Sequence, residues 1–302
     1  MGGKVLVGTC SWADKSLVDC ACFYPPEAKT PEDRLRFYAS RFPIVEIDST
    51  YYGLPSERNA ALWVERTPED FTFDVKAFRL FTQHPTPPQA LPKDVREALP
   101  PAGAEKRNLY DRDLPDDVRD ELWRRYAGAL LPLDSAGKLG VVVFQFPPWF
   151  LPGRESKEYI VRARERLPQY RVAVEFRSGR WFAEPNRGRT LDFLRENDIP
   201  LVAVDSPQGF PSSVPPVDEA TSQIALVRFH GRNAEMWARA GATVGERFDY
   251  LYSEDELREW VPRVRRLAEQ AREVHLLMNN CVRDKAVVNA AQLNLMLNPL
   301  PP

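Results

Sequence analysis

The sequence predicts a single (β/α)₈ barrel on three observations: eight short β-type runs, segments of helical spacing between them, and no G-x-G-x-x-G turn opening a doubly wound sheet. The runs are KVLVGTCSW, IVEIDSTYY, FTFDVKAF, GVVVFQFPP, RVAVEFRSG, PLVAVDSPQ, ALVRFHGRN and VHLLMNNC. At 302 residues and 43% hydrophobic content the chain fills one full core. A barrel of this kind needs about 250 residues.

After the first run comes a loop with Cys20 and Cys22, then a helix opened by Thr30, Pro31 and Asp33 and carried through Arg41. Ser56 starts the next, which ends near Arg66 after the second run. The third run leads into the surplus residues, an insertion at about 78–138 that holds HPTPPQALP, ALPP and a helix around Pro115 to Leu130. Pro-rich excursions of this kind cover a pocket or pack over a barrel end. Glu155 to Leu167 and Arg187 to Asn197 follow the fourth and fifth runs. SPQGFPSSVPP follows the sixth, where a helix is missing. A long excursion and a helix from Ser253 or Glu254 to Ala271 follow the seventh, and Asp284 to Leu297 closes the chain. Residues 1–302 read as one domain.

A net charge of −2 supplies no global attraction for nucleic acid or an anionic membrane. No stretch approaches the ~20 apolar residues of a membrane span, and no signal peptide is visible at the start. The expected setting is soluble and cytoplasmic.

Side chains alternate across a strand. Val45/Ile47, Phe73/Val75, Phe144/Phe146, Val174/Phe176, Val202/Val204 and Val227/Phe229 therefore share one face of their strands. The opposite face carries Glu46, Asp48, Asp74, Lys76, Gln145, Glu175, Arg177, Asp205, Arg228 and His230. Six charged faces do not each find solvent in a compact protein, so these groups are expected to converge at one barrel end, where (β/α)₈ proteins place their sites. One account is a salt-bridge lattice filling the barrel. The other is a functional site, since crowded carboxylates and cations push pKa values apart as acid/base chemistry requires.

On the functional account Glu175 is the leading acid/base group, and Glu46 and Asp48 are partner carboxylates or ligands of a divalent metal. His230 is a proton shuttle. Lys76, Arg177 and Arg228 hold an anionic group, while Gln145 and Asp205 add polar contacts. Asn279 and Asn280 exchange places if the eighth strand shifts by one residue. Trp12, Tyr52 and Trp181, with Trp149, Trp237, Tyr51, Phe150 and Phe210, suit a ligand with a ring, or else anchor the long loops. Cys10 ends the first run and Cys281 follows the eighth, neighbours in a closed barrel. With Cys20 and Cys22 they are candidates for a thiolate metal site, although C-x₉-C-x-C is not a recognised ligand spacing.

GTCSW, FYPP, RLRFYASRF, VEIDSTYYGLPS, FTFDVKA, FQFPP, VEFR, VRFHGRN, YLYSEDELREW, and NN followed by VVNAAQL, occur in order along essentially the whole chain. In these motifs the sequence resembles the domain-of-unknown-function 72 family. The resemblance implies a TIM-like (β/α)₈ barrel and brings no established activity, cofactor or catalytic residue set. Glu46, Asp48, Lys76, Gln145, Glu175, Arg177, Arg228, His230, Asn279 and Asn280 match its polar motifs. TCSW stands where many members have a Ser–Gly–Trp form, so Cys10 belongs to a subgroup.

The resulting expectation is an acid/base hydrolase or isomerase acting on a small, polar, anionic, ring-containing molecule such as a phosphosugar or nucleotide. A non-catalytic binder of a ligand or of single-stranded nucleic acid is the first alternative, disfavoured for nucleic acid by the charge. A thiol or metal protein built on the four cysteines is the second.

Overall fold

Eight parallel strands form one sheet in the computed structural model, which describes residues 2–100, 106–210 and 212–298. They are β1 (Lys4–Thr9), β2 (Ile44–Ile47), β3 (Thr72–Lys76), β4 (Leu139–Gln145), β5 (Val172–Glu175), β6 (Val202–Asp205), β7 (Ile224–Phe229) and β8 (Glu273–Met278). The order β5-β4-β3-β2-β1-β8-β7-β6 leaves β5 and β6 at the two ends. A parallel bridge between Val174 and Leu201, with the Val174 N–H donating to the Pro200 carbonyl at 2.9 Å, brings those ends together into a TIM-like barrel.

The main outer helices are α1 (Pro31–Ala39), α2 (Glu57–Glu65), α3 (Asp116–Ser135), α4 (Arg154–Glu165), α5 (Asn186–Glu196), α6 (Glu254–Gln270) and α7 (Lys285–Leu297). Their starts follow the capping chemistry. Thr30 and Asp33 form a reciprocal capping box, Ser253 and Glu256 another, and Ser56 accepts from the Asn59 N–H. α3 runs past the expected end near Leu130, through Pro132. Burial of Leu130 and Leu133 on one helix face outweighs the lost backbone bond. Between β6 and β7 no helix occurs among the described residues. The excursion after β7 holds two helical turns, Ala234–Trp237 and Val244–Phe248.

Apolar side chains fill two spaces. Val45, Phe73, Phe144, Val174, Phe176, Val227 and Phe229 point outward and pack with the helices. Inside the barrel, Val141, Val143, Ala173, Val202, Ile224 and Leu226 form one cluster, and Leu6, Cys10, Ile44 and Leu277 another. Full burial of each Val or Leu contributes about 1.5–3 kcal/mol. Both clusters leave the C-terminal end of the barrel to polar groups. Among the described residues no helix is long and apolar enough to cross a membrane.

Candidate functional site at the barrel mouth

Strand alternation carries polar side chains from β2, β3, β4, β5 and β7 into the barrel, and Glu175 is where they meet. It is fully buried, and its Oε1 accepts from Gln145 Nε2 at 2.6 Å, Arg177 Nη1 at 3.1 Å and His230 Nε2 at 3.0 Å. Its Oε2 accepts from Arg228 Nη1 at 2.5 Å. Arg228, equally buried, reaches Glu46 Oε1 with Nη2 at 2.8 Å, and the Cys10 Sγ lies 3.6 Å from the same nitrogen. One cation thus joins β7 to β2 and β5 through the middle of the barrel.

The carboxylates differ in character. Burial alone would raise the Glu175 pKa, but Arg228, His230 and Arg177 together hold it well below the usual carboxylate range. Burial raises Glu46 and Asp48, against the pull of Arg228 and Lys76. Glu46 Oε2 has no partner among the described residues. Desolvation and Arg177 lower the His230 pKa to about 3, so the ring is neutral. A single tautomer serves both its neighbours: Nε2–H donates to Glu175, and Nδ1 accepts from Asn279 Nδ2 at 2.8 Å.

Cations line the outer side. The Lys76 ammonium lies 4.7 Å from the centroid of the Tyr51 ring, and the Arg79 guanidinium lies 5.3 Å from the same ring. Arg177 sits 5.3 Å from the Trp237 ring. Burial, with Lys76, Arg79 and Arg177 nearby, lowers the His84 pKa to about 3. Tyr52 is 60% exposed beside Tyr51, and Phe248 covers the His230 ring at 5.6 Å. His84 and Arg79 were not among the residues singled out by alternation. Arg79 opens the turn Arg79–Thr82 just past β3 and His84 follows that turn, and their signal was the run AFRLFTQH continuing directly from Lys76. A cavity of about 930 Å³ lies to one side, between α4 and the insertion. Its wall residue Trp149 is 6.0 Å from His84.

Four expected positions lie elsewhere. Asp205 faces the helices, because β6 turns Val202 into the barrel. There it accepts from Tyr252 Oη and Trp260 Nε1, each at 2.7 Å, and pairs with Arg232 at 2.8 Å. Asn280 also faces outward, donating to Asn289 Oδ1 at 2.9 Å, which leaves Asn279 as the inward member of the pair. Trp12 packs edge-on against Trp63 at 5.9 Å, beneath α2. Trp181 is fully buried, stacked on Phe176 at 4.0 Å and donating to the Phe150 carbonyl. Both tryptophans serve the helix layer because the chain turns outward directly after β1 and β5.

The cysteines are all free and do not form one four-thiolate cage. Cys10 is enclosed with Leu6, Ile44 and Leu277 and packed against Cys281. Burial raises both thiols. Cys20 and Cys22 instead lie with Asp284, their ligand atoms all within 4.8 Å of one another, and this is the set among the described residues able to hold a thiophilic cation. Deeper in the barrel, His275 donates to Asp74 Oδ2 at 2.9 Å and to Glu273 Oε2 at 3.3 Å, and Asp74 Oδ1 accepts from the Val141 N–H. Burial would lower the His275 pKa, but Asp74 and Glu273 raise it to about 9.

Residues 6–301 match the family described as "Protein of unknown function DUF72". The chain belongs to the DUF72 family. It is 31% identical to the UPF0759 protein YunF of Bacillus subtilis strain 168, over 97% of this chain and 95% of that one. A DUF72 family protein from Enterococcus faecalis V583 has a TM-score of 0.78 at 27% identity, with 99% of this chain and 97% of that chain covered. Another from Thermotoga maritima MSB8 has a TM-score of 0.75 at 31% identity, covering 97% and 99%. None of these DUF72 relatives carries an activity in its name.

Proposed function

We propose that this DUF72 protein is an acid/base enzyme whose mouth cluster binds a small anionic substrate. The carrying observation is the contrast between the carboxylates in that one cluster. Glu175 is held ionised by four donors, while burial moves Glu46 and Asp48 toward their protonated forms. A carboxylate offers about four acceptor sites. Those of Glu175 are taken by protein donors, which recommends it as an anchor and moves proton transfer to Asp48 and Glu46. Arg177 and Arg79 supply two cations for an anionic group, with guanidinium geometry suited to phosphate or carboxylate. Tyr52 and Trp237 offer flat surfaces to a ring.

The test is a thermal-shift screen of phosphosugars, nucleotides and ring carboxylates, followed by product analysis on each hit. A hit should stabilise wild type and not Arg177→Met, and Asp48→Asn should bind it while turning it over at least a hundredfold more slowly. Turnover by Asp48→Asn equal to wild type removes the acid/base assignment.

A further inference from the structure

Lys76 stands apart from the other cations of the mouth. Arg228 is locked between two carboxylates, Arg177 is paired with Glu175, and Arg79 is a guanidinium that stays charged. The Lys76 amine makes no ion pair or hydrogen bond among the described residues. It rests on the Tyr51 face at the end of β3, partly open to the mouth. A buried ammonium without a hydrogen-bonded partner sheds its proton more readily than a solvated one.

We propose that Lys76 is a nucleophile that forms an imine with a carbonyl-bearing anionic substrate. This rests on the acid/base reading of the same cluster and names its substrate class, an aldehyde or ketone carrying a phosphate or carboxylate.

The surroundings meet the chemical requirements. Burial lowers the Lys76 pKa and Arg228 adds to it, whereas Glu46, Glu175 and Asp48 act the other way; the net direction is downward. Tyr51 favours the ammonium only weakly, as a ring face does at a partly exposed site. The neutral amine attacks the carbonyl carbon, so a C–N bond forms and the C–O bond later breaks. Oxygen departs as water, with one proton from the nitrogen and one from a carboxylic acid, Asp48 or Glu46. The products are an iminium and a carboxylate, so charge and atoms balance without any oxidant. Both carboxyls are shifted toward the protonated form that this dehydration needs. Arg177 and Arg79 remain free of the covalent step to take the anionic group.

The experiment is reductive trapping. Wild type and Lys76→Arg are incubated separately with pyruvate, dihydroxyacetone phosphate and glyceraldehyde 3-phosphate at pH 7.5, reduced with sodium borohydride, and analysed by intact mass and peptide mapping. One equivalent of adduct on Lys76 is expected with at least one probe, at tenfold or more the level on any other lysine. The adduct should be absent from Lys76→Arg, and inorganic phosphate should suppress it. The pH midpoint of trapping should lie below that of the other labelled lysines. Labelling spread evenly over surface lysines, or no adduct on Lys76 with any of the three, overturns the proposal. Phosphate binding lost in Arg177→Met keeps the acid/base reading alive in that event; without it both fail together.

Discussion

Replacing Arg228 by Met tests the charge arrangement at its centre. The substitution keeps a long apolar stem and removes the one cation shared by Glu46 and Glu175, both fully buried. Stripping a partner from a buried pair costs about 3–5 kcal/mol, because the charge left behind has no solvent to turn to. The two carboxylates escape part of that cost by taking up protons. Their folded-state pKa values then lie above the unfolded ones, so the native state binds more protons than the unfolded state and stability falls as pH rises. In wild type the sign is the reverse for Glu175. Its depressed pKa contributes stability that is complete above the unfolded value and lost as pH falls through the folded one. The deficit of Arg228→Met should therefore grow between pH 5.5 and pH 8, by up to about 1.4 kcal/mol for each pKa unit by which a carboxyl is raised across that window. Urea unfolding followed by far-UV circular dichroism at the two pH values measures it. A variant as stable as wild type, or a deficit of equal size at both pH values, would refute the role assigned to Arg228.

The remaining predictions concern neighbouring features. With its pKa raised from 6.5 to about 9, His275 contributes stability that is complete below pH 6.5 and lost as pH rises through 9. The shift corresponds to about 3 kcal/mol, and urea unfolding across pH 6–10 should show that slope in wild type and a flat response in His275→Asn. A Cβ at Gly140 would stand 2.3 Å from Asp74 Oδ1 and 2.9 Å from Thr72 Cγ2, against the same pair. Gly140→Ala should cost about 1–3 kcal/mol in the same assay; a neutral result would mean that β4 yields. Asp205→Asn places an amide N–H₂ among three donors and should cost about 1–3 kcal/mol, visible as a lower melting temperature and altered Trp260 emission. Its affinity for any mouth ligand should match wild type, and a loss beyond threefold would contradict the outward placement of Asp205.

The barrel was legible because its signals are local. Each strand announced itself by a run of β-branched and aromatic residues, and most helices by a capping residue. The period of two also sorted Glu46, Lys76, Gln145, Glu175, Arg177, Arg228 and His230 onto inward faces. It failed at β6, where both faces are nearly apolar: VAVD does not say which side is the core, and Val202 went inward. For Trp12 and Trp181 the deciding fact was the direction of a turn, which composition does not encode. The division of labour among the carboxylates was illegible for a different reason. Whether Glu175 ionises depends on donors from β4 and β7 that stand far away in sequence. Lys76 illustrates the same point: carboxylates stand in the neighbouring motifs, yet burial and then Arg228 turn its shift downward.

The Glu46–Arg228 bond joins residues 182 positions apart, and Glu175–Arg228 spans 53. Both acids therefore precede their shared counter-ion in the chain and lack it until β7 has been made. Without β7, Glu46 would lack its guanidinium partner, and Glu175 would keep Gln145 and Arg177 but lose Arg228 and His230. Arg228 thus ties the early and middle parts of the chain to β7 across the barrel's width, so the full set of ion pairs exists only in the closed barrel.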